Sequence, residues 1–354
     1  MHDLTHLTAD ELLETRAVLK SANVANRYLA ELKGIAQTIP NESILINTLS
    51  LQEAKDSSEV ENIVTTHDEL FQAAMKAQDV SIAGKEASMY GVALRTGFQS
   101  IRERGVCPLS LLLKIHTQLE CHQGGLRRTP GTNLKNAETG EIIYEPPQHP
   151  DEIKRLMDDL IDFMHVDERR DLDPLVKMAI IHHQFQSIHP FYDGNGRTGR
   201  IINVLYLVMK GLLDLPVLYL SRYIVRHKGQ YYHHLQNVRD TGDWEPYLLY
   251  MMEAIAETAQ HSIGTIGKIR DLMAERKSRL RKELPKIYSQ DLLNLMFKHP
   301  YTKIAFTESE LGVSRITATK YLELLTERDF LRKRKIGRTN YYLNEELIRI
   351  FERG

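Results

Sequence analysis

The sequence has little that would suit export, a membrane or a disulfide scaffold. Only two cysteines occur in 354 residues, Cys107 and Cys121. Their spacing suits neither a metal site nor a disulfide framework, and a reducing compartment is expected. No charge of one sign dominates: 46 Lys and Arg against 47 Asp and Glu leave a net charge of −1. A whole-chain attraction to nucleic acid or to an anionic membrane is therefore excluded. Long apolar runs are missing too. Ile201 to Leu220 is broken by Asn203, Lys210, Asp214 and Pro216, whereas a bilayer span needs about 20 nearly uninterrupted apolar residues; it reads as a core helix. The opening Met-His-Asp-Leu-Thr has neither a basic n-region nor an apolar h-region, so no secretory signal, no membrane partner and a cytoplasmic protein are expected. Internal repeats and low-complexity tracts are absent.

What is present is ordinary globular composition, with 42% apolar and 26% charged residues, which rules out a disordered or collagenous chain. At about 100–200 residues per domain the length allows two or three units. The first third has few Gly or Pro and a 3.6-residue apolar spacing: Tyr28, Leu32 and Ile35 share a face, and further helices are expected over 68–77 and 110–120. From Gly124 to Pro150, Gly, Pro, Thr and Asn dominate, and a Thr-Gly pair between short runs at 133–144 predicts a hairpin or ordered loop. Asp173-Pro174 predicts a capped helix start with Pro at its first position. Helix is expected again from Trp244 to Lys282. The last 70 residues read as a separate unit: helices over 291–298, 307–311 and 314–327, then strands over 330–335 and 340–343, which is a winged helix-turn-helix pattern.

The stretch that carries chemistry is His189-Pro190-Phe191-Tyr192-Asp193-Gly194-Asn195-Gly196-Arg197-Thr198-Gly199-Arg200. Two glycines flanking Asn195 free the backbone to aim successive N–H groups at one point. A helix opening at about Arg197 adds unpaired N–H groups and the positive end of its dipole, so the loop should hold an anion. Arg197 and Arg200, three apart, could both clamp phosphate oxygens. Asp193 is a hard oxygen ligand of the kind Mg²⁺ takes beside substrate phosphates. His189 can act as a base near neutral pH. Together these suggest phosphate-transfer chemistry, although a capped helix with solvent-facing arginines would use the same glycines.

These twelve residues fit the pattern HPFx[D/E]GNGRxxR at every fixed position, and the sequence resembles the Fic (Fido) family over roughly residues 25 to 280. The resemblance implies a mainly α fold, a Fic helical core with a β-hairpin flap, and division into an N-terminal helical region (1–105), a catalytic core (106–255), a helical linker (256–284) and the winged unit (285–354). It implies transfer of AMP from ATP to a Ser, Thr or Tyr hydroxyl of a target protein, with release of pyrophosphate. His189 would be the general base, and Asp193 would hold Mg²⁺. Gly194, Asn195, Gly196, Arg197, Thr198, Gly199 and Arg200 would bind the nucleotide, with Arg197 at the β-phosphate and Arg200 at the γ-phosphate. The flap would lie over 128–147, with Thr132, Asn133, Leu134 and Lys135 nearest the contact. Tyr231 and Tyr232 would stack on adenine, while Trp244 and Tyr247 read as core.

Upstream, Ser57, Glu61 and Asn62 match the family's inhibitory pattern [S/T]xxxE[G/N], which implies a salt bridge from Glu61 to Arg200 and so an autoinhibited enzyme of the kind with its inhibitory helix in the same chain. In the last unit Arg315, Thr317, Thr319 and Lys320, with Arg332, Lys333, Arg334, Lys335 and Arg338, could meet DNA phosphates, or the unit could serve packing or a homodimer contact. The alternatives left open are a transcription regulator with a nucleotide-sensing core, or transfer of another group such as UMP.

Overall fold

A computed structural model describes residues 4, 10–74, 81–122, 124–135, 139–166, 171–337 and 339–352. The chain is mainly helical. The N-terminal region holds α1 (Asp10–Leu13), α2 (Arg16–Ala36), α3 (Glu42–Val60), α4 (His67–Ala74) and α5 (Ile82–Arg104). Helix α6 (Leu109–Glu120) leads to a hairpin of β1 (Leu134–Lys135) and β2 (Ile142–Tyr144), then to α7 (Pro150–His165). The core continues with α8 (Pro174–Ile188), α9 (Asn195–Met209), α10 (Ser221–Arg226) and α11 (Lys228–Thr241). A 39-residue helix, α12 (Glu245–Glu283), follows. Next come α13 (Gln290–Lys298), β3 (Tyr301–Thr302), α14 (Ile304–Leu311), α15 (Arg315–Glu327), β4 (Arg332–Ile336), β5 (Thr339–Leu343) and α16 (Glu345–Glu352).

Helix α8 explains the layout. Asp173 caps it by accepting from the Leu175 N–H at 2.8 Å, and Pro174 sits at its first position. Every residue from Leu175 to Ile188 is buried, polar ones included, so α8 is the central rod rather than an amphipathic surface helix. Two of its histidines are paired across the core: His182 with the Tyr231 hydroxyl and Asn203, and His183 with the Leu235 carbonyl. Helix α9 packs on α8 where Gly199 lies so close to Gln186 and Phe185 that a Cβ would collide. Gly97 of α5 has the same relation to Leu205 of α9. Helix α12 is about 58 Å long at 1.5 Å per residue. It lies along α2 and reaches the last unit, where Arg276 and Arg279 sit over the Phe330 ring. The expected boundary at 255/256 falls inside this helix.

Two sequence expectations need correction. The apolar stretch 201–220 is not one helix: α9 stops at Met209, Gly211 turns the chain at φ +69°, and Leu213 to Leu220 continue as a largely buried connection containing Pro216. Helix α9 begins at Asn195 rather than Arg197, which brings Asn195 and Gly196 into its first turn.

The last unit has the expected helices and hairpin, with β5 paired antiparallel to β4 and, on its other edge, to β3. Strand β3 and helix α16 are additions to the sequence reading. The unit rests on the N-terminal region: the Tyr301 hydroxyl donates to Asp68, the Tyr301 ring stacks on Phe71 with centroids 5.3 Å apart, and Arg334 reaches Asp68 at 3.4 Å. Among the described residues no helix is long and apolar enough to cross a membrane.

Candidate active site

The turn between α8 and α9 is built from its own side chains. His189 ends α8 in the left-handed region at φ +48°, and Gly194 precedes α9 at φ +72°. Asn195 bridges the turn, with Oδ1 accepting from the Phe191 N–H at 2.9 Å and Nδ2 donating to the Phe191 carbonyl at 2.8 Å. Its side chain is thus occupied by the loop, and what the loop offers a ligand is main chain. The first N–H groups of α9 have no acceptor within the helix, and Gly194 supplies no side-chain cap.

A cleft of about 870 Å³ opens at this point. It is lined by His189, Gly196 and Arg200 of the motif, by Glu61 and Asn62, by Asn133, Leu134 and Lys135 of the hairpin, and by Tyr231, Tyr232 and Arg239. Residues 128 positions apart in sequence, Glu61 and His189, therefore share one cavity. Burial, then the positive charges of Arg127 and Arg239, lower the His189 pKa to about 4, so the imidazole is neutral through the neutral range and has a free lone pair to take a proton. Tyr231 is buried with its hydroxyl against His182, and Tyr232 is half-exposed above it, the rings edge to face. Burial pushes the Tyr232 hydroxyl up to about 12.

Arg200 is 1% exposed and held by α3 and its C-cap: Nε donates to Ser57 Oγ at 2.9 Å, and Nη2 to the Ser57 carbonyl at 2.8 Å and to Glu61 Oε1 at 2.9 Å. Burial works against its charge, but the Glu61 carboxylate, Tyr231 and Tyr90 together outweigh it, so the guanidinium is held more firmly charged. The Glu61 carboxylate also presses on the start of α9, where a Cβ at Gly196 would overlap it. An internal anion thus occupies the N-terminus of α9. Asn62 follows at φ +63°, with Oδ1 accepting from Lys228 Nζ at 2.8 Å. That backbone explains why Asn or Gly suits the position: both tolerate the left-handed region.

Arg197 goes elsewhere. The two arginines, expected to share one ligand, do not converge: Arg197 is 2% exposed and paired with Glu86 of α5 at 2.6 Å and Glu120 of α6 at 2.9 Å. Both carboxylates were missed in the sequence, lying 111 and 77 positions away. Thr198 and Gly199 are buried in helix packing and outside the cleft lining; Thr132, half-buried before β1 with its carbonyl accepting from Gln148, is also outside the lining. Asp193 is exposed at the tip of the turn, with one oxygen accepting from the Gly194 N–H. Among the described residues no group of three or more His, Cys, Asp or Glu could hold a metal. A cation here would need ligand oxygens beyond the protein's, which suits Mg²⁺ on a single carboxylate and substrate phosphates.

In the last unit three hairpin cations are paired within the chain: Arg332 with Glu345, Lys333 with Glu323 and Arg334 with Asp68. Arg338 lies outside the described residues. Cys107 is buried, Cys121 exposed, and both are free thiols.

Comparison with known proteins decides the family. Residues 107–207 match the Fic/DOC family, residues 19–99 the Fic/DOC family N-terminal region, and residues 272–347 the C-terminal domain described as protein adenylyltransferase SoFic-like. The chain belongs to the Fic/DOC family. Among curated relatives it is similar to protein adenylyltransferase fic-1 of Caenorhabditis briggsae, 30% identical over 172 residues, and of Caenorhabditis elegans, 27% identical over 167. Either match covers 44% of this chain and 31% of the relative, so it spans under a third of those proteins. A Fic family protein from Desulfovibrio desulfuricans G20 shares the fold over 93% of this chain and 96% of its own, with a TM-score of 0.59 at 18% identity.

Proposed function

We propose that this Fic protein is an autoinhibited protein adenylyltransferase, moving AMP from ATP to a hydroxyl of a target protein and of itself. The observation that carries the reading is one cavity in which a neutral imidazole, a helix N-terminus and a buried arginine meet, with the last two occupied by Glu61. ATP would lie with its base beside Tyr231 and Tyr232. Its α-phosphate would face the main chain at 194–196, and its γ-phosphate would take the place of Glu61 on Arg200. The hydroxyl oxygen attacks the α-phosphorus while its proton passes to His189. The new O–P bond forms as the bond to pyrophosphate breaks. Charge on the transferred phosphate is stabilised by main-chain donors, because the Asn195 side chain is already used. Arg197 reaches the β-phosphate only where that charge competes with Glu86 and Glu120.

The Asp193 carboxylate would hold Mg²⁺, which when bound neutralises the phosphates. An added strand of the target would pair with the flap near Lys135. The last unit, read as a winged helix, is assigned to assembly or targeting. A DNA role has less to draw on, since Arg332, Lys333 and Arg334 already neutralise carboxylates of the chain. The test is incubation of wild type and Glu61→Gly with each labelled nucleoside triphosphate. Label transferred from ATP, and more of it by the variant, supports the reading; transfer of UMP alone, or of nothing by either protein, overturns it.

A further inference from the structure

Arg127 touches no substrate group in the chemistry above, yet it is fully buried beside it. Its Nε donates to the His189 carbonyl at 2.7 Å, and its Nη2 to the Pro147 carbonyl at 2.8 Å and the Ile188 carbonyl at 3.3 Å. Its own N–H donates to the Pro190 carbonyl at 2.8 Å. One guanidinium thus joins the C-terminal end of α8 to both stems of the flap, since Arg127 enters β1 and Pro147 leaves β2. The next two residues continue the tie, the Arg128 and Thr129 N–H groups donating to the Tyr192 hydroxyl at 3.0 and 3.1 Å. On the second strand, Tyr144 donates to the Ser187 carbonyl at 3.0 Å, and Arg239 lies 4.1 Å over its ring.

We propose that Arg127 is a positioning residue that couples the flap to the catalytic turn, so that a target strand seated on the flap fixes the imidazole of His189. The proposal rests on the adenylyltransferase reading, and the charge of Arg127 gives it a second consequence. Facing His189 are Arg127 from the flap stem, Arg239 from α11 and Glu61 from α3; the first two favour the neutral ring and Glu61 opposes them. Charge-assisted bonds from a planar fork to three carbonyls cannot be reproduced by lysine.

The test uses the full chain with Glu61→Gly, to which Arg127→Met or Arg127→Lys is added. His189 is titrated by NMR, its signal assigned by loss in His189→Ala, and trypsin cleavage after Lys135 reports flap opening. Arg127→Met should raise the His189 pKa relative to the parent Glu61→Gly, burial and Arg239 still holding it below the usual range, move the acid limb of AMP transfer with it, and speed cleavage about tenfold or more, the loss expected for a charge-assisted hydrogen bond. Arg127→Lys should keep the low pKa and still open the flap. An unchanged His189 titration with unchanged cleavage in Arg127→Met overturns the proposal. If that variant does not fold, unchanged cleavage in Arg127→Lys does the same. Failure of Glu61→Gly to transfer AMP sinks the adenylyltransferase reading alone, because titration and cleavage need no catalysis.

Discussion

Replacing Glu61 by glycine should release the enzyme, and the size of the release follows from two contacts. The first is the bond from Arg200 Nη2 to Glu61 Oε1 at 2.9 Å. Hydrogen bonds to charged groups contribute about 1.5–3 kcal/mol, and the one-third exposure of Glu61 places this one at the low end, about 1.5 kcal/mol. That alone is roughly tenfold in the competition with a γ-phosphate. The second contact is steric: the Glu61 carboxylate lies against Gly196, where a phosphate would meet the start of α9. Removing both predicts a rise in AMP transfer of about 10- to 100-fold, while Arg200 keeps its two bonds to Ser57. The assay is incorporation of label from α-labelled ATP, with ATP affinity measured calorimetrically on the same preparations. Glu61→Gln separates the effects: it removes the charge, keeps the bulk, and should fall between wild type and Glu61→Gly. Equal transfer by wild type and Glu61→Gly, with ATP bound equally tightly by both, would refute the reasoning.

Other outcomes follow from the same geometry. The His189 pKa is lowered to about 4 even with Glu61 raising it, so kcat/KM of Glu61→Gly should be level above pH 6 and fall only at about pH 4 or below; an acid limb centred at 6.5 contradicts this. His182, lowered to about 3, and His189 are both held neutral by the fold. Their stabilisation is therefore complete above the unfolded pKa of about 6.5 and is lost as the pH falls below it, which a declining melting temperature between pH 7 and 4 would register. Asn62→Val places a branched side chain at φ +63° and breaks the bond from Lys228. It should cost about 1–2 kcal/mol and raise basal transfer, whereas Asn62→Gly should leave chemical denaturation nearly unchanged.

Much of the site was legible because its residues are local in sequence. His189, Gly196 and Arg200 lie within one turn and one helix start, and the spacing of Ser57 and Glu61 by one helical turn put both on Arg200. The Asp173-Pro174 start and the hairpin near 134–144 were legible through capping and turn chemistry. What stayed hidden is long-range. Nothing near Arg197 in the sequence points to Glu86 or Glu120, and three-residue spacing suggested a shared ligand that the surrounding helices do not allow. Arg127 looked like one of two adjacent loop arginines, and only the fold sets it against the His189 carbonyl. The two-residue strand β3 is too short for any periodicity to reveal. The apolar run at 201–220 misled because burial on all sides erases the difference between helix and buried connection.

The most direct measurement compares Glu61→Gly with Glu61→Gly carrying His189→Ala, following ATP binding by calorimetry and AMP attachment by intact-protein mass spectrometry. Both variants should bind ATP, and only the first should attach AMP. Attachment that continues without the imidazole, or ATP that binds neither protein, would contradict this.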